Sequence, residues 1–69
     1  MSGLKFRAVV EDGYVVVRRG TECIGAAPWK SDGTVRDFEF CEDKHRKSNS
    51  TRCATARALK AYEDTYKIT

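Results

Sequence analysis

The sequence predicts an α+β domain: a four-stranded antiparallel β-meander with one C-terminal α-helix packed on one face, in the order ββββα. Three observations predict it. Apolar and polar residues alternate with period two through the first half of the chain. Short turn signals divide that half into strand-length pieces. From Thr51 onward the period becomes helical.

The first strand is expected over about residues 4–10, where Leu4, Phe6, Ala8 and Val10 alternate with Lys5, Arg7 and Val9. Asp12-Gly13 follows. Both residue types tolerate the positive φ of a primed turn, so the pair marks a tight hairpin into a second strand over about 14–19. Gly20 turns the chain into a third strand over about 22–29. Its Gly25-Ala26-Ala27 core is small, and Pro28 cannot donate to a ladder, which puts this segment near an edge or a strand end. Lys30-Ser31-Asp32-Gly33 forms the next turn, and the fourth strand is expected over about 34–41 with Phe38 and Phe40 on one face. Val35 has the opposite parity, which predicts a bulge or a late start.

Between Glu42 and Ser50 no period is legible. The helix is expected over about 51–66, capped by the hydroxyl of Ser48 or Ser50. Ala54, Ala58, Leu59, Tyr62 and Tyr66 form its buried stripe, and Arg52, Lys60, Glu63 and Lys67 its wet side. Glu63 precedes Lys67 by four residues, a favourable helical pair. A single helix covers a single face of the sheet. The other face is expected to show Lys5, Arg7 and Val9 together with Val15 and Val17. The lone Trp29 can stand exposed beside Lys30 as an anchor, but a single Trp in so small a domain is more often core.

At 69 residues the chain is one domain, 1–69, without linker, repeat or low-complexity segment. A domain of this size buries only about 60% of its unfolded surface. Its stability should be roughly 3–5 kcal/mol. No apolar run approaches the ~20 residues of a membrane span, and the first residues lack the apolar core of a signal peptide. The cysteines Cys23, Cys41 and Cys53 are odd in number, which fits reduced thiols in a cytoplasmic protein better than a disulfide framework.

Thirteen Lys+Arg against ten Asp+Glu give a net charge of +3, so a basic footprint must come from local clustering. Two clusters stand out. Lys5, Arg7, Arg18, Arg19 and Arg36 lie on or between strands, where they can meet a partner or a phosphate backbone, or simply discourage edge pairing. Lys44, Arg46, Lys47 and Arg52 surround the helix entrance, where free N–H groups and the helix dipole favour anions. The plain alternative there is a solvated loop, partly neutralised by Glu42 and Asp43.

Cys23, Cys41, His45 and Cys53 are the residue types of a zinc site. Their spacing, Cys-x17-Cys-x3-His-x7-Cys, has no Cys-x2-Cys knuckle. They read better as small hydrophobes and a first-turn helix thiol, with no metal or other cofactor. Cys53 and His45 without an orienting acid, a Gly-rich phosphate loop or a Ser-His-Asp set do not make an enzyme, and so short a chain has little room for a closed small-molecule pocket.

No family motif is matched residue by residue. The strands holding Gly13-Tyr14-Val15-Val16-Val17-Arg18-Arg19, followed by a helix with Ala58-Leu59-Lys60-Ala61-Tyr62-Glu63, loosely resemble the three-strand-plus-helix DNA-binding domains of plant APETALA2-type factors and phage integrase arms. That likeness covers about two-thirds of the chain and implies a sheet inserted in the major groove. An extra N-terminal strand and a longer, more charged strand-to-helix loop depart from it. In size and isolation the chain is also similar to small phage and mobile-element inhibitors, anti-CRISPR proteins among them. The expected function is a stand-alone, non-catalytic module that docks on a protein or nucleoprotein partner and modulates or inhibits it. The alternative is a module that binds DNA or RNA directly through the same basic residues.

Overall fold

The computed structural model describes residues 5–68, with side chains through Thr65. Strands β1 (Phe6–Glu11), β2 (Tyr14–Arg19), β3 (Glu22–Pro28) and β4 (Glu39–Phe40) are followed by a short helix α1 (Asp43–Lys47) and a long helix α2 (Asn49–Ile68). The sheet is antiparallel in the order β1-β2-β3-β4, as the hairpin signals predict. Asp12 and Gly13 take φ of +50° and +80°, the two positive values a type I′ hairpin needs. They set the register Glu11↔Tyr14, Val9↔Val16, Ala8↔Val17.

That register corrects the expected open face. Val17 pairs with Ala8 and Val15 with Val10, so both belong to the helix side, where both are fully buried. The residue that joins Arg7 and Val9 on the open side is Val16. Lys5 immediately precedes β1, and Leu4 lies outside the described residues.

The core lies between α2 and the sheet. Val17, Ile24 and Ala58 form its centre, with Phe6, Ala8, Phe38, Phe40 and Leu59 packed around them. A β-bulge brings Ile24 into this group. Val17 pairs with Gly25 and Arg18 with Cys23, leaving Ile24 as the extra residue, which the bulge re-aims onto the core face. Gly25 has a packing role. A Cβ there would lie 2.5 Å from the Phe38 ring and 2.5 Å from the Glu39 carbonyl oxygen, so the bare glycine seats Phe38 against the strand. Phe38 in turn meets Phe40 edge to face, centroids 5.2 Å apart.

The fourth strand is much shorter than the expected 34–41. Asp37 holds a left-handed φ of +61°, Thr34 is tied by backbone and hydroxyl to the Asp32 carboxylate, and the Val35 N–H donates to Glu63 Oε2 on α2 at 2.8 Å. These bonds take the segment out of the ladder, and the strand starts late, as the parity of Val35 suggests. Glu63 is thereby half-buried and engaged rather than on a wet side; Tyr66 and Lys67 have side chains outside the described residues.

The segment 42–50 also holds structure that no period shows. Five residues of α1 are too few to display one, and a single residue, His45, anchors them by being buried. Ser48 ends α1 and opens α2: its N–H donates to the His45 carbonyl, and its Oγ accepts the N–H of Thr51. Ser48 is therefore the cap, and α2 begins two residues before the expected Thr51.

Candidate interaction surface

Among the described residues, the elements that pack on the sheet lie on one side of it. Helix α2 packs on Ala8 and Val17, Phe38 on Gly25, and the 29–38 loop bonds to α2 through Val35. On the opposite side, among the described residues, three cross-strand rows are open. One is Glu11, Tyr14 and Pro28; the next is Val9, Val16, Ala26 and Glu39; the third is Arg7, Arg18 and Cys23.

The middle row is apolar across three strands. Val16, between Val9 and Ala26 in the register, is only 8% exposed, whereas Val9 is 36% and Tyr14 50% exposed. Trp29 follows at the same end of the sheet, its N–H donating to the Gly13 carbonyl. It is 43% exposed rather than part of the core. An open groove of about 450 Å³ runs beside these rows, lined by Tyr14, Ala26, Pro28, Asp37, Glu39 and Cys41 with Phe40.

An ion pair crosses the same face. Arg18 donates from Nε and Nη2 to the two carboxylate oxygens of Glu11, at 3.1 and 2.8 Å. In the register this bidentate pair spans the Val9–Val16 pair. The hydrogen bond with Arg18 holds the Glu11 carboxyl below its ordinary pKa, and the same bond raises that of Arg18.

The nine basic residues expected at a site divide into two kinds. Four are engaged: Arg18 with Glu11, Arg19 with Glu22 at 2.8 Å, Lys44 with Glu42 at 3.6 Å and Arg46 with Asp43 at 2.9 Å. Arg19 also lies over the Phe6 ring, 5.8 Å from its centroid. Its bond lowers the Glu22 pKa. Lys5, Arg7, Arg36, Lys47 and Arg52 form no ion pair among the described residues, although Arg36 is near enough to Asp32 to help lower its carboxyl pKa, chiefly set by the Thr34 N–H and hydroxyl. Arg57 and Lys60 share this freedom on the exposed side of α2. Arg57 joins Lys60 on the wet side of the helix, beyond the residues the sequence pattern assigns there. The signal was the spacing of Arg52, Arg57 and Lys60 along one helix.

The four zinc-type residues are not gathered. Cys23 and Cys41 touch, Sγ to Sγ at 2.8 Å, but His45 Nε2 faces Glu22 Oε2 at 3.3 Å without hydrogen-bond geometry, and Cys53 is exposed on α2. Among the described residues no group of three or more His, Cys, Asp or Glu is placed to hold a metal ion. Nor is any helix among them long and apolar enough to cross a membrane.

No protein-family model, curated protein or solved structure matches this chain.

Proposed function

We propose that this protein is a non-catalytic binding module whose open sheet face docks on a protein or nucleoprotein partner and modulates or blocks it. The observation that carries the reading is the one-sided cover of the sheet. Val9, Tyr14 and the groove beside Ala26 remain exposed, and the charge that crosses the middle row is neutralised internally in the Arg18–Glu11 pair. Protein interfaces have this anatomy: an apolar and aromatic centre inside a polar rim. Acidic Glu11 and Glu39 lie on the same face, and Arg18 is committed to Glu11, so the face favours a protein surface over a phosphate backbone. Small phage and mobile-element inhibitors, including anti-CRISPR-like proteins working in a cytoplasm, are the class this reading fits. The test is capture from the native host with the wild type and with Tyr14→Ser. A partner retained by the wild type and lost by the variant supports the reading; equal capture ends it.

A second reading has its own observation. Among the described residues, Lys47, Arg52, Arg57 and Lys60 form no ion pair where α1 passes into α2 and along α2. Unpaired cations of this kind suit a phosphate backbone. Titration with duplex and single-stranded DNA and RNA at two salt concentrations decides it. Phosphate-driven binding weakens steeply with salt, and no binding at low salt removes this reading.

A further inference from the structure

Nothing in the spacing of Cys23 and Cys41 pairs them, yet the fold brings their sulfurs to 2.8 Å. Two features place them there. The bulge at Ile24 puts Cys23 opposite Arg18 on the open face. The chain leaving β4 is then fixed alongside, because the Cys41 N–H donates to the Ile24 carbonyl at 2.8 Å. Neither thiol is enclosed: Cys23 is half-buried and Cys41 exposed, so a dissolved oxidant can reach the pair. A disulfide bond needs the two sulfurs at about 2.05 Å with their Cβ vectors converging. A contact already made between adjacent segments needs only a small side-chain adjustment.

We propose that Cys23 and Cys41 are a redox-sensitive pair that closes into a reversible disulfide, stapling β4 and the start of the α1 segment to β3. The oxidant class is a low-molecular-weight disulfide. The thiolate of one cysteine attacks a sulfur of that disulfide and breaks its S–S bond. The first small thiolate leaves, and a mixed disulfide forms. The second cysteine, losing its proton, attacks the protein sulfur of the mixed disulfide. The Cys23–Cys41 bond forms and the second small thiolate leaves. Two protein thiols are oxidised, one small disulfide is reduced to two thiols, and the two protons pass to them. In a reducing compartment the pair rests open, and the bond forms only when the thiol pool becomes oxidised.

The consequence follows from position. Strand β4 is two residues long, so its attachment to β3 is brief. Cys41 also lines the groove beside Tyr14 and Ala26. Closing the bond fixes one wall of that groove and constrains the intervening loop. Such a loop closure raises the midpoint of thermal unfolding of a small domain by about 10–20 °C. The third thiol, Cys53, belongs to α2 and supplies the internal control.

The test is incubation of the native protein with oxidised glutathione, followed by intact mass and peptide mapping. The expected product is lighter by two hydrogens, with the link mapped to Cys23–Cys41. It should form equally in Cys53→Ser and not in Cys41→Ser, melt about 10–20 °C higher and revert with reductant. The mapping is made on the wild type, so the result does not depend on a variant folding. Persistent glutathione adducts on both cysteines, a link made only through Cys53, or an oxidised form with an unchanged or lower melting midpoint would each overturn the proposal.

Discussion

On the helix side of the sheet, Val15, Val17, Ile24 and Ala27 are fully buried, and Phe6, Ala8, Phe38 and Phe40 close around that core. On the opposite side the same strands present Arg7, Val9, Glu11, Tyr14 and Arg18, with Val16 as the buried exception. One face has a buried apolar centre, ending in exposed Val10 at one end and the Arg19–Glu22 pair at the other. The other has an apolar middle row crossed by an ion pair. The difference shows how a short chain divides one sheet: cohesion comes from the helix side, and the proposed contacts would use the side left open. Antiparallel sheets often face water on one side, but the usual alternation then makes that side polar throughout. An unbroken Val9–Val16–Ala26 row departs from that pattern.

The comparison predicts where substitutions act. The largest effect is expected on the helix side. Ile24→Ala removes the side chain that the bulge delivers to the core, and should cost about 2–5 kcal/mol, enough to unfold much of so small a domain; denaturant titration measures it. Gly25→Ala should cost about 1–3 kcal/mol, since its Cβ meets the Phe38 ring and the Glu39 backbone together. The same titration, with near-ultraviolet circular dichroism for the aromatic packing, reads it. Thr55→Val should act in the opposite direction. The Thr55 hydroxyl is buried in α2 without a hydrogen-bond partner among the described residues, and replacing it by a methyl should stabilise by about 1 kcal/mol.

Smaller still is the acid response of the charged margin. Glu11, Glu22 and Asp32 have pKa values lowered in the fold, by the hydrogen bonds from Arg18, Arg19 and Thr34 respectively. In the window between the folded and unfolded values, the unfolded chain therefore binds more protons. Their contribution is present above roughly pH 4 and is lost as pH falls through the folded values. Melting midpoints between neutral and acid pH should fall on acidification, and Glu11→Gln should flatten part of that fall. A fall that is as steep in the variant would contradict this assignment.

The hairpins were legible because Asp12-Gly13 and Gly20 carry their own backbone preferences, and the helix because its stripe runs over several turns. The open face was misassigned through register. A two-residue loop at Asp12-Gly13 pairs odd residues of β1 with even residues of β2, which puts Val16 rather than Val15 and Val17 beside Val9. That arithmetic was available from the turn. The bulge at Ile24 was not, since it depends on the core closing over Ile24. Strand β4 shrank because Val35 found Glu63, twenty-eight positions away, a tertiary bond that alternation cannot reveal. The basic clusters are visible in the sequence, but their net charge in the fold is not. Arg18, Arg19, Lys44 and Arg46 each face a carboxylate in the fold, and the sequence does not show which cations stay unpaired.

We propose the uncovered face as a docking surface rather than merely a wet one. That proposal is tested most directly by the affinity of the captured partner for the wild type, Tyr14→Ser and Val9→Ser, each first shown by its melting curve to be folded. The account predicts at least a tenfold loss for the exposed-face variants, about 1.4 kcal/mol each, while Arg46→Ala, in the ion pair on α1, leaves affinity unchanged. Affinity indifferent to Tyr14 and Val9, or a loss confined to Arg46, would contradict it.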